Sequence, residues 1–220
     1  MVNFPTIVFD LDGTLADTSA DLIAAANACF DRPLLGPADA LTAFLGGRAM
    51  LRLGYSRIGQ DRSEADIDRD YPRLLAAYAE GICVETRLYP GVVAAVEGVR
   101  VAGYATAICT NKPEGLAVDL VRRLGIAHLF GALVGADTLP VRKPDAAPYR
   151  LAVDRVGGGR SMLVGDTETD RKTGLAAGVP VALVTFGPEG QGVARLSPEA
   201  LLHHYDDLAE VAARWVPKNA

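Results

Sequence analysis

Ten residues near the start of the chain, Thr6-Ile7-Val8-Phe9-Asp10-Leu11-Asp12-Gly13-Thr14-Leu15, restrict most sharply what it can become. A β-prone apolar run that ends in a glycine turn reads as a buried central strand. Such strands do not ordinarily finish in two acids, because aspartate is rarely buried without a partner or a metal. On an extended strand Asp10 and Asp12 project to the same side. Two like charges held about 4 Å apart repel by about 4 kcal/mol at an effective dielectric of 20. A positive group is therefore expected between them. An Asp-Gly turn alone would be unremarked, but the full string Asp-x-Asp-Gly-Thr arises by chance in on the order of one in a thousand chains of this length.

Composition narrows the rest. The chain has 220 residues, half of them hydrophobic, enough for one α/β domain with a smaller appended one. A formal charge of −5 gives no general attraction to nucleic acid or to an anionic membrane. No apolar run approaches the length of a membrane span, and the first residues lack a basic stretch followed by an apolar one, so a cytoplasmic protein is expected. Cys29, Cys83 and Cys109 match no metal spacing and read as core residues in a reducing compartment. Monomer and small homo-oligomer both remain open.

Taken in order, residues 16–30 read as a helix, with Thr18 and Asp21 spaced as a capping box and Asp17 as another possible cap. Residues 38–85 carry helical periodicity without β-rich runs, in segments 39–45, 49–58 and 64–82. Asp66, Asp68, Arg69, Asp70 and Arg73 read there as a solvated face. From residue 86 helices and strands alternate: helix 92–101, strand 104–109, helix 114–124, strand 132–134, helix 147–156, strand 161–164, helix 168–177 and strand 181–184. The tail, 198–216, reads as two short helices. This alternation implies an α/β fold, a Rossmann-like parallel sheet with helices on both faces in three layers. Residues 1–15 and 86–220 would form the core, and residues 16–85 an inserted all-helical domain. Ligands of such sheets bind beyond the carboxyl ends of the strands, where strand order reverses. The unusual polar residues stand at those ends: Asp10 and Asp12, Thr110 and Asn111, and Asp166.

In motif order, the chain resembles the haloacid dehalogenase-like superfamily of aspartate-nucleophile phosphatases. Asp10-Leu11-Asp12-Gly13-Thr14 is similar to its first motif, Thr110-Asn111 to the second, Lys143-Pro144 to the third, and Gly165-Asp166-Thr167-Glu168-Thr169-Asp170 to the fourth. The resemblance implies a helical cap of the first type (C1), inserted after the first motif. It also implies Asp10 as nucleophile, forming an aspartyl-phosphate, and Asp12 as general acid and base. Mg²⁺ would be held by the Asp10 side chain, the Asp12 backbone carbonyl and the Asp166 side chain. Asp170 would hold a metal-bound water or the Lys143 ammonium, Gly13 would support the turn, and Thr110, Asn111 and Lys143 would bind the phosphoryl oxygens. Plainer readings stay open: Asp12 as a simple metal ligand, Asp170 as a first-turn helix acid, Thr110-Asn111 as a helix cap, and Lys143-Pro144 as surface.

Within the superfamily the sequence is most similar to the phosphoglycolate phosphatases, through Thr110-Asn111-Lys112-Pro113, residues 139–145, the fourth motif and Leu183-Val184-Thr185-Phe186-Gly187. The implied substrate is a small phosphorylated metabolite, 2-phosphoglycolate first. A β-phosphoglucomutase-like phosphomutase, a phosphatase for another metabolite or sugar phosphate, and a non-catalytic regulatory relative are the alternatives. Asp12 argues against a dehalogenase. Gly46, Gly47 and Arg48 stand where the family tends to have Gly-Asn-Gly. They either bind an anionic substrate, with Arg48 on its carboxylate, or merely separate two cap helices.

Overall fold

A computed structural model describes residues 4–217 of the chain. Strand β1 (Thr6–Phe9) is buried at all four positions, as an apolar run covered on both faces must be. Short strand β2 (Ala16–Asp17) and helices α1 (Ser19–Asn27), α2 (Ala40–Phe44), α3 (Gly47–Arg57) and α4 (Glu64–Glu80) follow, then short strand β3 (Arg87–Leu88). Next come α5 (Val92–Val101), β4 (Ala105–Cys109), α6 (Glu114–Arg123), β5 (Ala132–Val134) and α7 (Ala146–Arg155). The chain ends with β6 (Ser161–Gly165), α8 (Glu168–Ala177), β7 (Val181–Val184), β8 (Ala200–Leu202) and α9 (Leu208–Trp215). It divides into two units, one formed by Met1–Ala16 with Leu88–Ala220 and one by Asp17–Arg87. The outermost residues of the expected core, 1–3 and 218–220, lie outside those described.

The larger unit is built on a six-stranded sheet in the order β5-β4-β1-β6-β7-β8, and each adjacent pair is parallel. From β1 the chain steps outward through β4 and β5, then returns to the other flank of β1 for β6, β7 and β8. Strand order therefore reverses at β1, and the carboxyl ends of β4, β1 and β6 frame the switch point. Register aligns those ends, since Phe9 stands opposite both Ile108 and Val164. One face of the sheet packs Val8, Ala107, Cys109, Val134, Leu163, Val181 and Leu183 against Tyr149, Ala152 and Val153 of α7. The alternate strand residues Phe9, Ile108, Met162 and Val164 are equally buried on the opposite face.

Several local expectations are corrected. Helix α1 starts at Ser19, because the Asp17 carboxylate accepts hydrogen bonds from Ser19 N (3.0 Å) and Oγ (2.6 Å) and ends the chain's extended course there. The Thr18–Asp21 capping box does not form: Thr18 makes no side-chain cap bond. Asp21 instead accepts from the backbone of Val84 (3.0 Å), Glu85 (2.9 Å) and Thr86 (2.9 Å) and from the Thr86 hydroxyl (2.7 Å). The tail contains a strand where a helix was expected, because Ala200–Leu202 is too short to show a period and is fixed only by pairing with β7. The charged face of α4 is exposed at Asp68, Arg69 and Arg73, as expected, and several of its groups are also paired. Asp66 caps Ser63, Asp68 pairs with Arg48, Asp70 accepts from the Tyr55 hydroxyl and Arg73 donates to the Ala28 carbonyl. Cys29 and Cys109 are buried, Cys83 is half-buried, and none is in a disulfide. Among the described residues no helix is long and apolar enough to cross a membrane.

The Asp21 clamp ties the smaller unit's last loop to its first helix. Asp21→Asn turns an amide toward backbone donors and should lower that unit's stability by about 2 kcal/mol in urea unfolding. An unchanged midpoint would show that the loop is held by packing alone.

Candidate active site

The loops at the switch point bring charged groups into unusual proximity. Oxygen atoms of Asp10, Asp166 and Asp170 all lie within 4.8 Å of one another. The Lys143 ammonium is 2.9 Å from Asp10 Oδ2 and 2.7 Å from Asp170 Oδ1, and is almost fully enclosed. The positive group expected between the two first-motif acids is replaced by two separate cations: Lys143 sits on Asp10, and Lys112 Nζ lies 3.0 Å from Asp12 Oδ1. The two acids do not share one strand face as expected. Strand β1 ends at Phe9, and Asp12 has only an isolated bridge to Ala16, so the two aspartates leave the pleat and meet separate ammoniums.

Each side chain is aimed by its local structure. Asp10 N donates to Val164 O (2.9 Å), which continues the ladder one residue beyond β1, and Asp10 Oδ1 accepts from Leu11 N (2.7 Å). Gly13, at φ 78°, makes the turn, and Gly13 N donates to Ala16 O (2.9 Å). Thr14 Oγ1 donates to Asp166 Oδ1 at 2.8 Å. Asp170 serves two purposes. Its Oδ2 accepts from Asp166 N, Thr167 N and Thr167 Oγ1, capping α8, while its Oδ1 takes Lys143. The helix-acid and lysine-holding readings of Asp170 thus describe the two oxygens of one carboxylate. A side chain at Gly165 would put its Cβ 2.3 Å from Asp170 Cγ, so only glycine lets this carboxylate fold back over the strand end.

Thr110 Oγ1 accepts from Lys112 N (3.2 Å), and Asn111 Nδ2 donates to the Lys143 carbonyl (3.0 Å). Asn111 therefore ties the second-motif loop to the loop that presents Lys143. Gly46, Gly47 and Arg48 belong to the smaller unit. Arg48 is 2.6 Å from Asp68 and stacks 3.9 Å from the centroid of the Tyr71 ring. Gly46 adopts φ 98°, and a Cβ on Gly47 would fall 2.9 Å from Tyr71 Cε2. These three residues thus have structural work inside their own unit. Sequence reasoning gave no role to Lys112 or Thr14. The signal for both was present, since each adjoins a motif residue at a strand end.

Burial raises the Asp10 carboxyl to about 6; Lys143 opposes the rise, while Asp170 and Asp12 add to it. Asp166 is pushed well above the usual carboxylate range by burial, then by Asp170 and Asp10, against the Thr14 hydrogen bond and Lys143. For Lys143, burial favours loss of the proton, but Asp10 and Asp170 outweigh it and hold the ammonium above its ordinary value. Burial also pushes the Cys109 thiol up to about 12, which leaves it protonated and a poor nucleophile. Asp166 Oδ2 is buried with no hydrogen-bond partner. A buried carboxylate oxygen left unpaired among other carboxylates fits a divalent cation with hard oxygen ligands, and Asp10 and Asp166 are the residues that would hold it.

A haloacid dehalogenase-like hydrolase family model matches residues 7–184. Phosphoglycolate phosphatase of Mesorhizobium japonicum is 37% identical over 219 residues, covering 96% of this chain and 96% of its own length. Phosphoglycolate phosphatase of Agrobacterium fabrum is 37% identical over 211 residues, covering 93% and 89%. Among solved structures, a crystal structure from Haemophilus somnus 129PT described as a predicted phosphoglycolate phosphatase aligns with TM-score 0.83 at 25% identity, covering 96% of this chain and 99% of that one.

The raised value at Asp10 sets a pH dependence. In chelator, the fold favours the protonated carboxyl, so its contribution is full below the unfolded value of 3.8 and is lost as pH rises through about 6. Asp10→Asn stays neutral. It should match wild type near pH 4 and exceed it by on the order of 2 kcal/mol at pH 8 in denaturant unfolding. Equal stability at both pH values would contradict the assigned burial cost.

Proposed function

The chain belongs to the haloacid dehalogenase-like hydrolases, and on that premise we propose that it is a Mg²⁺-dependent phosphomonoesterase acting through an aspartyl-phosphate, with 2-phosphoglycolate as its first substrate. The observation that carries this reading is the convergence of Asp10, Asp166 and Asp170 around the buried Lys143 ammonium, with one Asp166 oxygen unpartnered. The names of the relatives from Mesorhizobium japonicum and Agrobacterium fabrum support the choice of substrate.

Asp10 is the nucleophile. Its carboxylate oxygens have one hydrogen-bond partner each among the contacts described above, Leu11 N and Lys143 Nζ, which leaves lone pairs for attack on phosphorus. As the new oxygen–phosphorus bond forms, the bond from phosphorus to the ester oxygen breaks, and Asp12 gives its proton to the departing alkoxide. Asp12 then takes a proton from the water that attacks the phosphoryl group, which releases inorganic phosphate and frees Asp10. Lys143 offers its charge to the equatorial oxygens, and Thr110 and Asn111 shape the same cradle. Asp10 and Asp166, with the Asp12 carbonyl, would hold Mg²⁺, which would supply charge neutralisation when an anion approaches a phosphate dianion. Asp170 keeps Lys143 in place.

Phosphate release from a panel of small phosphomonoesters, with and without Mg²⁺, tests the proposal. Turnover should be highest with 2-phosphoglycolate, vanish in chelator, and fall at least a thousandfold in Asp10→Asn. No release from any ester would remove the hydrolase reading. Transfer to a second hydroxyl of a sugar phosphate, in place of release, would favour the phosphomutase.

A further inference from the structure

Lys112 has no place in the steps above, yet among the described residues it is, with Lys143, one of two buried cations. Its residue is 7% exposed, and its ammonium lies 3.0 Å from Asp12 Oδ1. A lysine stem ordinarily samples many rotamers and stays in water. Here the backbone is fastened on both sides: Lys112 N donates to Thr110 Oγ1 (3.2 Å), and its carbonyl accepts from Ala136 N (2.9 Å). Pro113 then forms the N-cap of α6, which fixes the direction in which the chain leaves. The result is an ammonium delivered to one carboxylate from a rigid strand end.

Lys143 serves a different pair, Asp10 and Asp170. The two lysines are thus divided between the two acids of the first motif. With Oδ1 of Asp12 fixed by Lys112, the plane of that carboxyl group and the direction of its second oxygen are fixed too. An aspartate outside a strand ladder otherwise has several χ1 wells open to it. A displacement of about 1 Å at a proton-transfer group costs on the order of a hundredfold in rate.

We propose that Lys112 is a positioning residue for Asp12: it holds the acid–base carboxyl toward the ester oxygen that must leave. The inference rests on the phosphomonoesterase reading and adds to it a residue that acts only through Asp12. It makes a demand that a purely structural lysine would not. Loss of Lys112 should matter where the leaving oxygen needs a proton and matter little where it does not. Alkyl esters such as 2-phosphoglycolate expel a basic alkoxide. The phenolate of p-nitrophenyl phosphate departs without protonation. In kcat/KM, which reads through release of the leaving group, the two esters therefore separate the roles.

The test compares wild type, Lys112→Met and Lys112→Arg on both esters in Mg²⁺. Lys112→Met should lower kcat/KM for 2-phosphoglycolate by on the order of a hundredfold or more and for p-nitrophenyl phosphate by less than about tenfold. Lys112→Arg, which restores a cation to Asp12, should recover part of the loss on the alkyl ester. Equal losses on both esters, or no loss on either, would overturn the proposal. Where Lys112→Met does not fold, Lys112→Gln carries the same comparison. Failure of both to fold would assign the lysine to stability and overturn the proposal as well. Absence of turnover by wild type on either ester would instead overturn the phosphomonoesterase reading, and the inference with it.

Discussion

Mutual repulsion among buried carboxylates is the constraint to which the rest of the larger unit answers. Asp10, Asp12, Asp166 and Asp170 are gathered at one end of the sheet, and two ammoniums, Lys112 and Lys143, are set among them. Four acids against two lysines leave an excess of negative charge when all are ionised. The fold yields by raising the proton affinity of Asp10 and Asp166. Lys143 reaches Asp10, while Asp166 Oδ2 has no hydrogen-bond partner among the described residues. Carboxylates gathered and perturbed in this way mark a candidate functional site.

The sheet topology makes the gathering possible. Reversal of strand order at β1 leaves the ends of β4, β1 and β6 side by side, with Thr110, Asp10 and Asp166 each one residue past a strand. Backbone pairing sets their height: Asp10 N is held by Val164 O, and Thr110 N by Val134 O. Asp170 enters from the first turn of α8 only because Gly165 offers no Cβ to block it. One carboxylate then both satisfies the helix N-terminus and fixes Lys143. The positive end of α8 and the charged site share a single acid.

Much of this was legible in the sequence because it rests on local signals. Apolar runs punctuated by glycine gave strands 132–134 and 181–184 and helix 168–177 with their observed bounds. Motif residues named in the sequence include Asp10, Lys143, Asp166 and Asp170, which the fold brings into contact. What was not legible depends on partners distant in sequence. Strand β8 is three residues long and exists through its pairing with β7. The spacing of Thr18 and Asp21 suits a cap, but Asp21 finds better donors in the loop at 84–86. Lys112 adjoins the second motif, but its burial against Asp12 emerges only in the tertiary structure. Arg48 shows the same limit: its pairing with Asp68 and Tyr71 spans about twenty residues and no local pattern announces it.

The central claim is that the carboxylate cluster is built to take a divalent cation at Asp10 and Asp166. Anomalous diffraction from a crystal soaked in Mn²⁺, a hard ion that also prefers oxygen ligands, tests it most directly. The account predicts one anomalous peak in contact with the carboxylates of both Asp10 and Asp166, absent from an Asp166→Asn crystal. A well-ordered site with no peak there, or a peak bound by other residues alone, would contradict it.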